Sequence, residues 1–448
     1  MSFTLSNEQT IAFNKYIQGE NIFITGPGGT GKTALIKLIK HHADNKGKNI
    51  QVCALTGCAA VLLECKARTI HSWAGIGIGS GDIENIIKKV MRNKVAKNAW
   101  LSVNILIIDE VSMMSKKLFE VLNSVAQKIR KNGSPFGGMQ VIFSGDFYQL
   151  PPVGNKDDIS TSEFCFQSEL WFNMFKIPNH IQLKTIFRQS DPVYQKILNQ
   201  IREGCIKKSS NAILLNHVNR EIPENYQIKP TRLYPIRSKV DIINKTELEQ
   251  INSEVYTFDL KYRTDLQMTA KERLARMSFT KEQIDMELEF LKNNIRCDSK
   301  IELKKGSQIM CIINTSINED TLLCNGSQGV VIDIVNNLPL IKYQNGVTTI
   351  MSYHTWESDK IPGLGVSQLP IIPAWALTIH KSQGATLDVA EIDIGSDIFE
   401  CGQSYVALSR VKNLDGLYLK SFDVTRIKIN AYVKEFYKLL NKLEEKEK

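Results

Sequence analysis

Eight consecutive residues carry the plainest chemistry in this chain. Gly26-Pro-Gly-Gly-Thr-Gly31-Lys32-Thr33 fits G-x-x-x-x-G-K-[ST] and lies between the apolar run NIFIT and the helix-like ALIKLIKHH, the strand–loop–helix setting that this motif requires. Glycine lets the main chain close around a phosphate, so the backbone N–H groups of Gly26, Gly28, Gly29, Thr30 and Gly31 can cradle one at a helix N-terminus. Lys32 would neutralise the outer phosphates, and the Thr33 hydroxyl would bind Mg²⁺. The expected ligand is therefore ATP carrying Mg²⁺.

Two further strand ends supply what hydrolysis needs. Asp109-Glu110 closes the run ILIIDE, which delivers both carboxylates to the carboxyl edge of a sheet, where α/β folds bind ligands. Asp109 would hold Mg²⁺ through water, and Glu110 would orient and deprotonate the attacking water. The run QVIFSGD brings Asp146 and Gln149 to the same edge. A glutamine there can hydrogen-bond the γ-phosphate and change partners on hydrolysis. Upstream, Gln9 has an amide donor and acceptor that could read the adenine edge.

These residues need a scaffold that aligns strand ends. Residues 1–190 alternate short apolar runs (21–25, 51–55, 105–108 and 140–144) with helical segments, the rhythm of a parallel sheet wrapped by helices. Residues 75–100 interrupt it with a Gly-rich opening and the basic stretch KKVMRNKVAKN, an excursion from the sheet. Ile284, Leu288, Leu291 and Ile295 fall on one face and predict a single amphipathic helix over 267–295. Over 301–353 the texture becomes short strands, with Asn345-Gly346 as a hairpin signal. After Pro373 the α/β texture returns in ALTIHKSQGA, VAEIDIG and LYLKSF, before a Lys/Glu-rich helical tail over 431–448.

Composition bounds the class. The 448 residues are 43% hydrophobic and 23% charged, enough for several buried cores. The net charge of +9 suits an anionic partner. No apolar run approaches the roughly 18 residues that span a bilayer, and the opening MSFTLSNEQTIAF lacks a signal peptide's pattern. No membrane partner is expected. The nine cysteines form no Cys-x-x-Cys pair, which argues against a zinc ribbon or a disulfide framework and for reduced thiols in the nucleus or cytoplasm.

Taken in order, GPGGTGKT (26–33), ALTGCAAVLL (54–63), TIHSW (69–73), IIDEVSMM (107–114), GDFYQLPPV (145–153), FRQ (187–189), LCNGSQGVV (323–331), ALTIHKSQGATL (376–387) and YVALSRVKNL (405–414) resemble the motif blocks of the petite-integration-frequency helicases of superfamily 1B. The resemblance runs from about residue 5 to residue 422. It implies an α/β chain with two RecA-like P-loop domains and small inserted domains, one of them β-rich and SH3-like. The first RecA-like domain would comprise 1–74 and 101–182, and the second 183–300 and 371–448. Residues 75–100 would be an insert at the duplex junction, and 301–370 the SH3-like one. Residues 250–300 match no motif.

The resemblance also implies roles. Arg188 and Arg410 match arginines that the second domain presents to the γ-phosphate, and Gly384 joins the ATP-binding set. Thr56, His71, Thr378, His380 and Lys381 match positions along the DNA track, and Trp73 or Phe147 could stack on bases. In the insert, Lys88, Lys89, Arg92, Lys94 and Lys97 could hold phosphates as strands part. The implied activity is 5′-to-3′ translocation on single-stranded DNA with unwinding of forked or tailed duplexes, by a monomer, with no clear mitochondrial targeting segment. Two relatives of that activity stay open: an ATPase that remodels or clamps DNA without unwinding, and a RecD-type helicase. A guanine-reading switch is disfavoured, because Asn155-Lys156-Asp157-Asp158 follows Pro151-Pro152 instead of capping an apolar strand.

Overall fold

The computed structural model describes residues 5–447 apart from 64, 66, 78, 80, 156, 157, 224–227, 296, 317–321, 324, 359 and 360. Cys324 and the centre of the N-K-x-D-like string thus lie outside the described residues. Contacts divide the chain into two compact units, one of residues 1–207, 400–406 and 427–448, the other of 208–399 and 407–426.

Through Lys207 the order is α1 (Asn7–Ile17), β1 (Ile22–Thr25), α2 (Lys32–Asn45), β2 (Ile50–Ala54), α3 (Gly57–Leu63), β3 (Arg68–Thr69), α4 (Ile70–Ala74), α5 (Ile83–Arg92), α6 (Lys94–Ser102), β4 (Ile105–Asp109), α7 (Lys116–Arg130), β5 (Gln140–Gly145), α8 (Leu170–Met174), β6 (His180–Gln182) and α9 (Pro192–Arg202). The six strands form one parallel sheet ordered β3-β2-β4-β5-β1-β6. Helices cover both faces, so IFIT and ILIID are buried at every position. Register places Thr25 beside Gly145, and Ala54 beside Asp109. The loops after β1, β2, β4 and β5 consequently leave from one edge.

The basic excursion is helical and packed. Asp82 and Asn93 cap α5 and α6, and Ile86, Val90, Ala96 and Trp100 join the hydrophobic core that α7 shares. Trp73 is 2% exposed with its ring 4.6 Å from that of Trp100, and Phe147 is 1% exposed within an aromatic cluster. Trp73 and Phe147, the candidates for stacking on bases, thus have their rings packed within the core.

From Lys208 the order is α10 (Lys208–Leu215), β7 (Thr231–Tyr234), α11 (Arg237–Gln250), β8 (Tyr256–Asp259), β9 (Lys261–Arg263), α12 (Ala270–Arg276), α13 (Lys281–Asn294), β10 (Lys300–Leu303), β11 (Gln308–Cys311), β12 (Thr315–Ser316), β13 (Leu322–Leu323), β14 (Gln328–Val335), β15 (Leu338–Tyr343), β16 (Thr348–Ile350), β17 (His354–Glu357), β18 (Gly365–Gln368), β19 (Ile371–Pro373), β20 (Ala376–Thr378), β21 (Ala390–Ile394), α14 (Gln403–Leu408), β22 (Leu417–Phe422) and α15 (Ala431–Glu447). A second parallel sheet, β20-β7-β21-β22, is the other RecA-like layer. The β-rich insert is a five-stranded antiparallel sheet, β16-β15-β14-β11-β19, whose Asn345-Gly346 turn has Gly346 at φ 86°.

Three boundaries differ from the sequence expectation. Residues 183–207 and α15 belong to the first unit, where Val433, Phe436, Tyr437 and Leu440 enter its core. Strands β8 and β9, from the motif-free stretch, pair with β10 and β18, so they extend the β-rich region. The single helix expected over 267–295 is two helices, because Thr280 caps a new start with Gln283 in a capping box.

Candidate nucleotide and nucleic-acid site

The phosphate loop is held open by backbone geometry. Gly29 sits at φ 86°, and a Cβ there would meet the Arg188 Cβ at 2.5 Å; at Gly26 one would meet the Leu183 carbonyl oxygen at 2.3 Å. Only glycine tolerates both conditions. The Gly28 N–H donates to the Tyr405 hydroxyl at 2.8 Å, and Lys32 Nζ donates to the Gly26 and Pro27 carbonyls at 2.7 and 3.0 Å. Desolvation pushes the Lys32 ammonium down from its ordinary range, while Asp146, Glu110 and Asp109 pull it back up. Thr33 is exposed, and Thr30 is buried with its hydroxyl on the Pro27 carbonyl.

Around this loop the first unit gathers most of the predicted catalytic set. Asp109 is 6% exposed, and burial pushes its carboxyl up. Glu110 follows in a left-handed conformation, φ 57° and ψ 38°, a strained backbone of the kind kept where a side chain must be aimed. Gln149 is presented by a turn in which its N–H donates to the Asp146 carbonyl at 2.9 Å. Gln9 is fully enclosed: its Oε1 accepts from the Ser6 N–H and its Nε2 donates to the Thr30 carbonyl at 3.2 Å. In this arrangement it braces the loop and exposes no free edge.

Arg188 is placed differently from the expectation that the second domain supplies it. The chain after β6 continues alongside the phosphate loop, with the Leu183 N–H on the Thr25 carbonyl and the Phe187 N–H on the Gly29 carbonyl. Arg188 thus belongs to the P-loop's own unit. Burial pushes its guanidinium down, opposed by Tyr405 and Glu110. Arg410 belongs to the second unit, 2% exposed, where its guanidinium donates to the Ser409 hydroxyl at 2.6 Å.

The residues expected along a DNA track fall in two groups. In the first unit, the Thr56 hydroxyl accepts from the Ala59 N–H at 3.1 Å, and burial pushes the half-buried His71 imidazole below its ordinary range. In the second unit, Thr378 ends β20 and His380, Lys381 and Gly384 follow it, with the Thr378 hydroxyl accepting the Lys381 N–H at 3.1 Å. His380 and Lys381 are exposed.

Sequence reasoning missed three participants. Phe187 is 55% exposed, and its ring edge lies 3.7 Å from where a Gly31 Cβ would stand; an aromatic directly before the arginine was the available signal. Arg202 grips Asp146 with two hydrogen bonds of 2.9 and 2.8 Å. Tyr437 reaches the same loop from α15. No local pattern announces either of the last two.

A P-loop on β1, an acidic pair on β4 and a glutamine turn on β5, all at one edge of a parallel sheet, define the P-loop nucleoside-triphosphatase class. The PIF1-like helicase family model matches residues 4–212. The chain is 35% identical over 446 residues to the Xenopus laevis ATP-dependent DNA helicase PIF1, covering 98% of this chain and 65% of that protein. It is 32% identical to the Saccharomyces cerevisiae ATP-dependent DNA helicase RRM3, covering 98% of this chain and 68% of that one. The Bacteroides Pif1 helicase crystallised with ADP-AlF3 and single-stranded DNA superposes with TM-score 0.62 at 27% identity, over 99% of this chain and 98% of its own. The chain belongs to the PIF1-like helicase family.

Proposed function

We propose that this protein is an ATP-driven DNA helicase that translocates 5′ to 3′ on single-stranded DNA and unwinds tailed or forked duplexes. The convergence of Lys32, Asp109, Glu110, Gln149 and Arg188 at one sheet edge of the first unit carries the reading. Lys32 and the loop amides bind the phosphates, Glu110 holds and deprotonates the water, and Arg188 offsets charge developing on the γ-phosphoryl group. The exposed Thr33 hydroxyl and the buried Asp109 carboxylate form a sparse oxygen donor set of the sort Mg²⁺ accepts when it arrives on a nucleotide. The ion, when bound, neutralises phosphate charge. By the motif resemblance, Arg410 and Gly384, both in the second unit, belong to the catalytic and ATP-binding sets. Thr56, His71, Thr378, His380 and Lys381 grip the DNA backbone.

Strand displacement on matched substrates tests the reading. Unwinding of a 5′-tailed duplex with ATP, and little of a 3′-tailed one, is expected. ATP hydrolysis stimulated by single-stranded DNA without displacement of either would replace it with a remodelling ATPase.

A further inference from the structure

The phosphate-sensing turn after β5 is fastened from an unexpected direction. Asp146 is 0% exposed and is held by Arg202 from α9. Tyr437 of α15 reaches the same carboxylate. The Tyr437 hydroxyl accepts from the Phe147 N–H at 3.2 Å, lies 2.5 Å from the Thr25 hydroxyl, and donates to Asp146 Oδ1 at 3.4 Å. Thr25 is the last residue of β1, directly before the phosphate loop, whereas Asp146 and Phe147 begin the turn that presents Gln149. One phenol oxygen therefore spans the root of the P-loop and the root of the glutamine turn.

The ring is fixed as firmly as the hydroxyl. It stacks on Tyr148 at 4.7 Å with planes 12° apart, and the Arg202 guanidinium lies 4.5 and 5.2 Å from the two ring centres. The next residue back, Phe436, stacks on Phe166 at 4.4 Å. Gln182 donates to Asn441 and Glu444 farther along the helix, and Lys184 pairs with Glu444. Burial pushes the Tyr437 phenol far up, so it remains a neutral donor.

We infer that Tyr437 is a positioning residue for hydrolysis: its hydroxyl sets the distance between the phosphate loop and Gln149, and so makes α15 part of the ATPase centre. None of its atoms need touch nucleotide. Displacement of a reacting group by about 1 Å can cost on the order of 10²-fold in rate, so a single tether at this position matters for turnover.

The inference rests on the nucleotide-hydrolysing reading above, and the experiment separates the two. Steady-state ATPase with saturating single-stranded DNA would be measured on the full chain and on Tyr437→Phe, which keeps the stacked ring and deletes the hydroxyl. A fall in kcat of about tenfold or more is expected, with KM for ATP within about twofold, because the loop amides and Lys32 are untouched. Thr25→Val cuts the other end of the same bond. It should lower kcat similarly and add little to Tyr437→Phe in the double variant. Phe436→Leu, which loosens the packing of α15 without touching the hydroxyl, should lower the melting temperature and spare kcat measured well below it. If Tyr437→Phe fails to fold, Thr25→Val decides alone. A kcat within about twofold of the parent in the folded variant, or an equal loss in Phe436→Leu, would overturn the tether. An inactive parent chain would instead overturn the reading beneath it.

Discussion

Phe187 donates its amide to the Gly29 carbonyl at 2.8 Å, which ties the residue before Arg188 to the phosphate loop itself. Arg188 is thus placed by the same unit that carries the phosphate-loop motif. Arg188→Ala should lower DNA-stimulated kcat by about 10³-fold or more, the scale of an arginine finger. Arg188→Lys should recover little of it, since an ammonium lacks the planar fork. DNA affinity without nucleotide should stay within about twofold of the parent by fluorescence anisotropy. A large loss of DNA affinity with intact turnover would remove Arg188 from the ATPase centre.

On the proposed reading, substitutions at Lys32 and Glu110 should separate binding from chemistry. Lys32→Ala should abolish detectable binding of a fluorescent ATP analogue. Glu110→Gln should keep that binding while turnover falls about 10²–10⁴-fold, the usual cost of losing a general base. The left-handed backbone at Glu110 is retained by glutamine, so the comparison isolates the carboxylate.

The strand ends were legible because hydrophobic runs and motif chemistry coincide there: NIFIT before the P-loop and ILIID before Glu110 are both strands in the same sheet. What was illegible is which surface a helix chooses. The pattern of α15 reads as a charged tail, and nothing local to Phe436 and Tyr437 says that they insert beside Phe147 and Asp146, some 290 residues away by the separation of Tyr437 from Phe147. Nothing local to Trp73 shows that its ring packs on Trp100, which lies beyond a glycine-rich stretch. The break between α12 and α13 was visible as Thr-x-x-Gln at Thr280, but the longer apolar period masked it.

His71 and Lys381 were both assigned to phosphates, and their surroundings separate them. On the proposed reading the exposed Lys381 would contribute a cation to backbone binding, whereas burial lowers the His71 imidazole and favours its neutral form near neutral pH. Lys381→Gln should make the slope of log affinity against log salt shallower by about 0.7, one phosphate's worth on single strands. His71→Gln should leave that slope unchanged at pH 7.5 even if affinity drops. An equal change in both slopes would mean that His71 binds DNA as a cation.

The same burial makes folding pH-dependent. His71, His180 and His354 all lie below the ordinary imidazole range because they are desolvated. Above the unfolded value of about 6.5 both states are neutral and no penalty arises. As pH falls through it, the unfolded chain takes up protons that the folded chain refuses, so stability drops with acid. Denaturant midpoints measured between pH 8 and pH 5 should decline toward acid, and His71→Gln should flatten part of that decline. A midpoint that rises toward acid would contradict the assigned direction.

The basic insert offers the separation of motor from separator, but excision is the wrong instrument. Ile86, Val90, Ala96 and Trp100 are core residues, and the Trp100 Nε1–H donates to the Ala74 carbonyl at 3.0 Å. Replacing the segment with a flexible linker would open that core and expose Trp73. The face to alter is the solvent one, where Lys88, Lys89, Arg92 and Lys94 are exposed. Changing all four to glutamine removes four positive charges without removing a buried side chain, and the one ion pair disturbed among the described residues, Lys88 with Glu84 at 3.9 Å, is an exposed contact between side chains 65% and 81% accessible. Such pairs contribute about 0–1 kcal/mol, so folding should be preserved. DNA-stimulated ATPase on single strands should persist, while displacement of a 5′-tailed duplex should slow several-fold and become less sensitive to salt. Parallel loss of ATPase and unwinding would assign the patch to single-strand binding, and unchanged displacement would dismiss it as a strand separator.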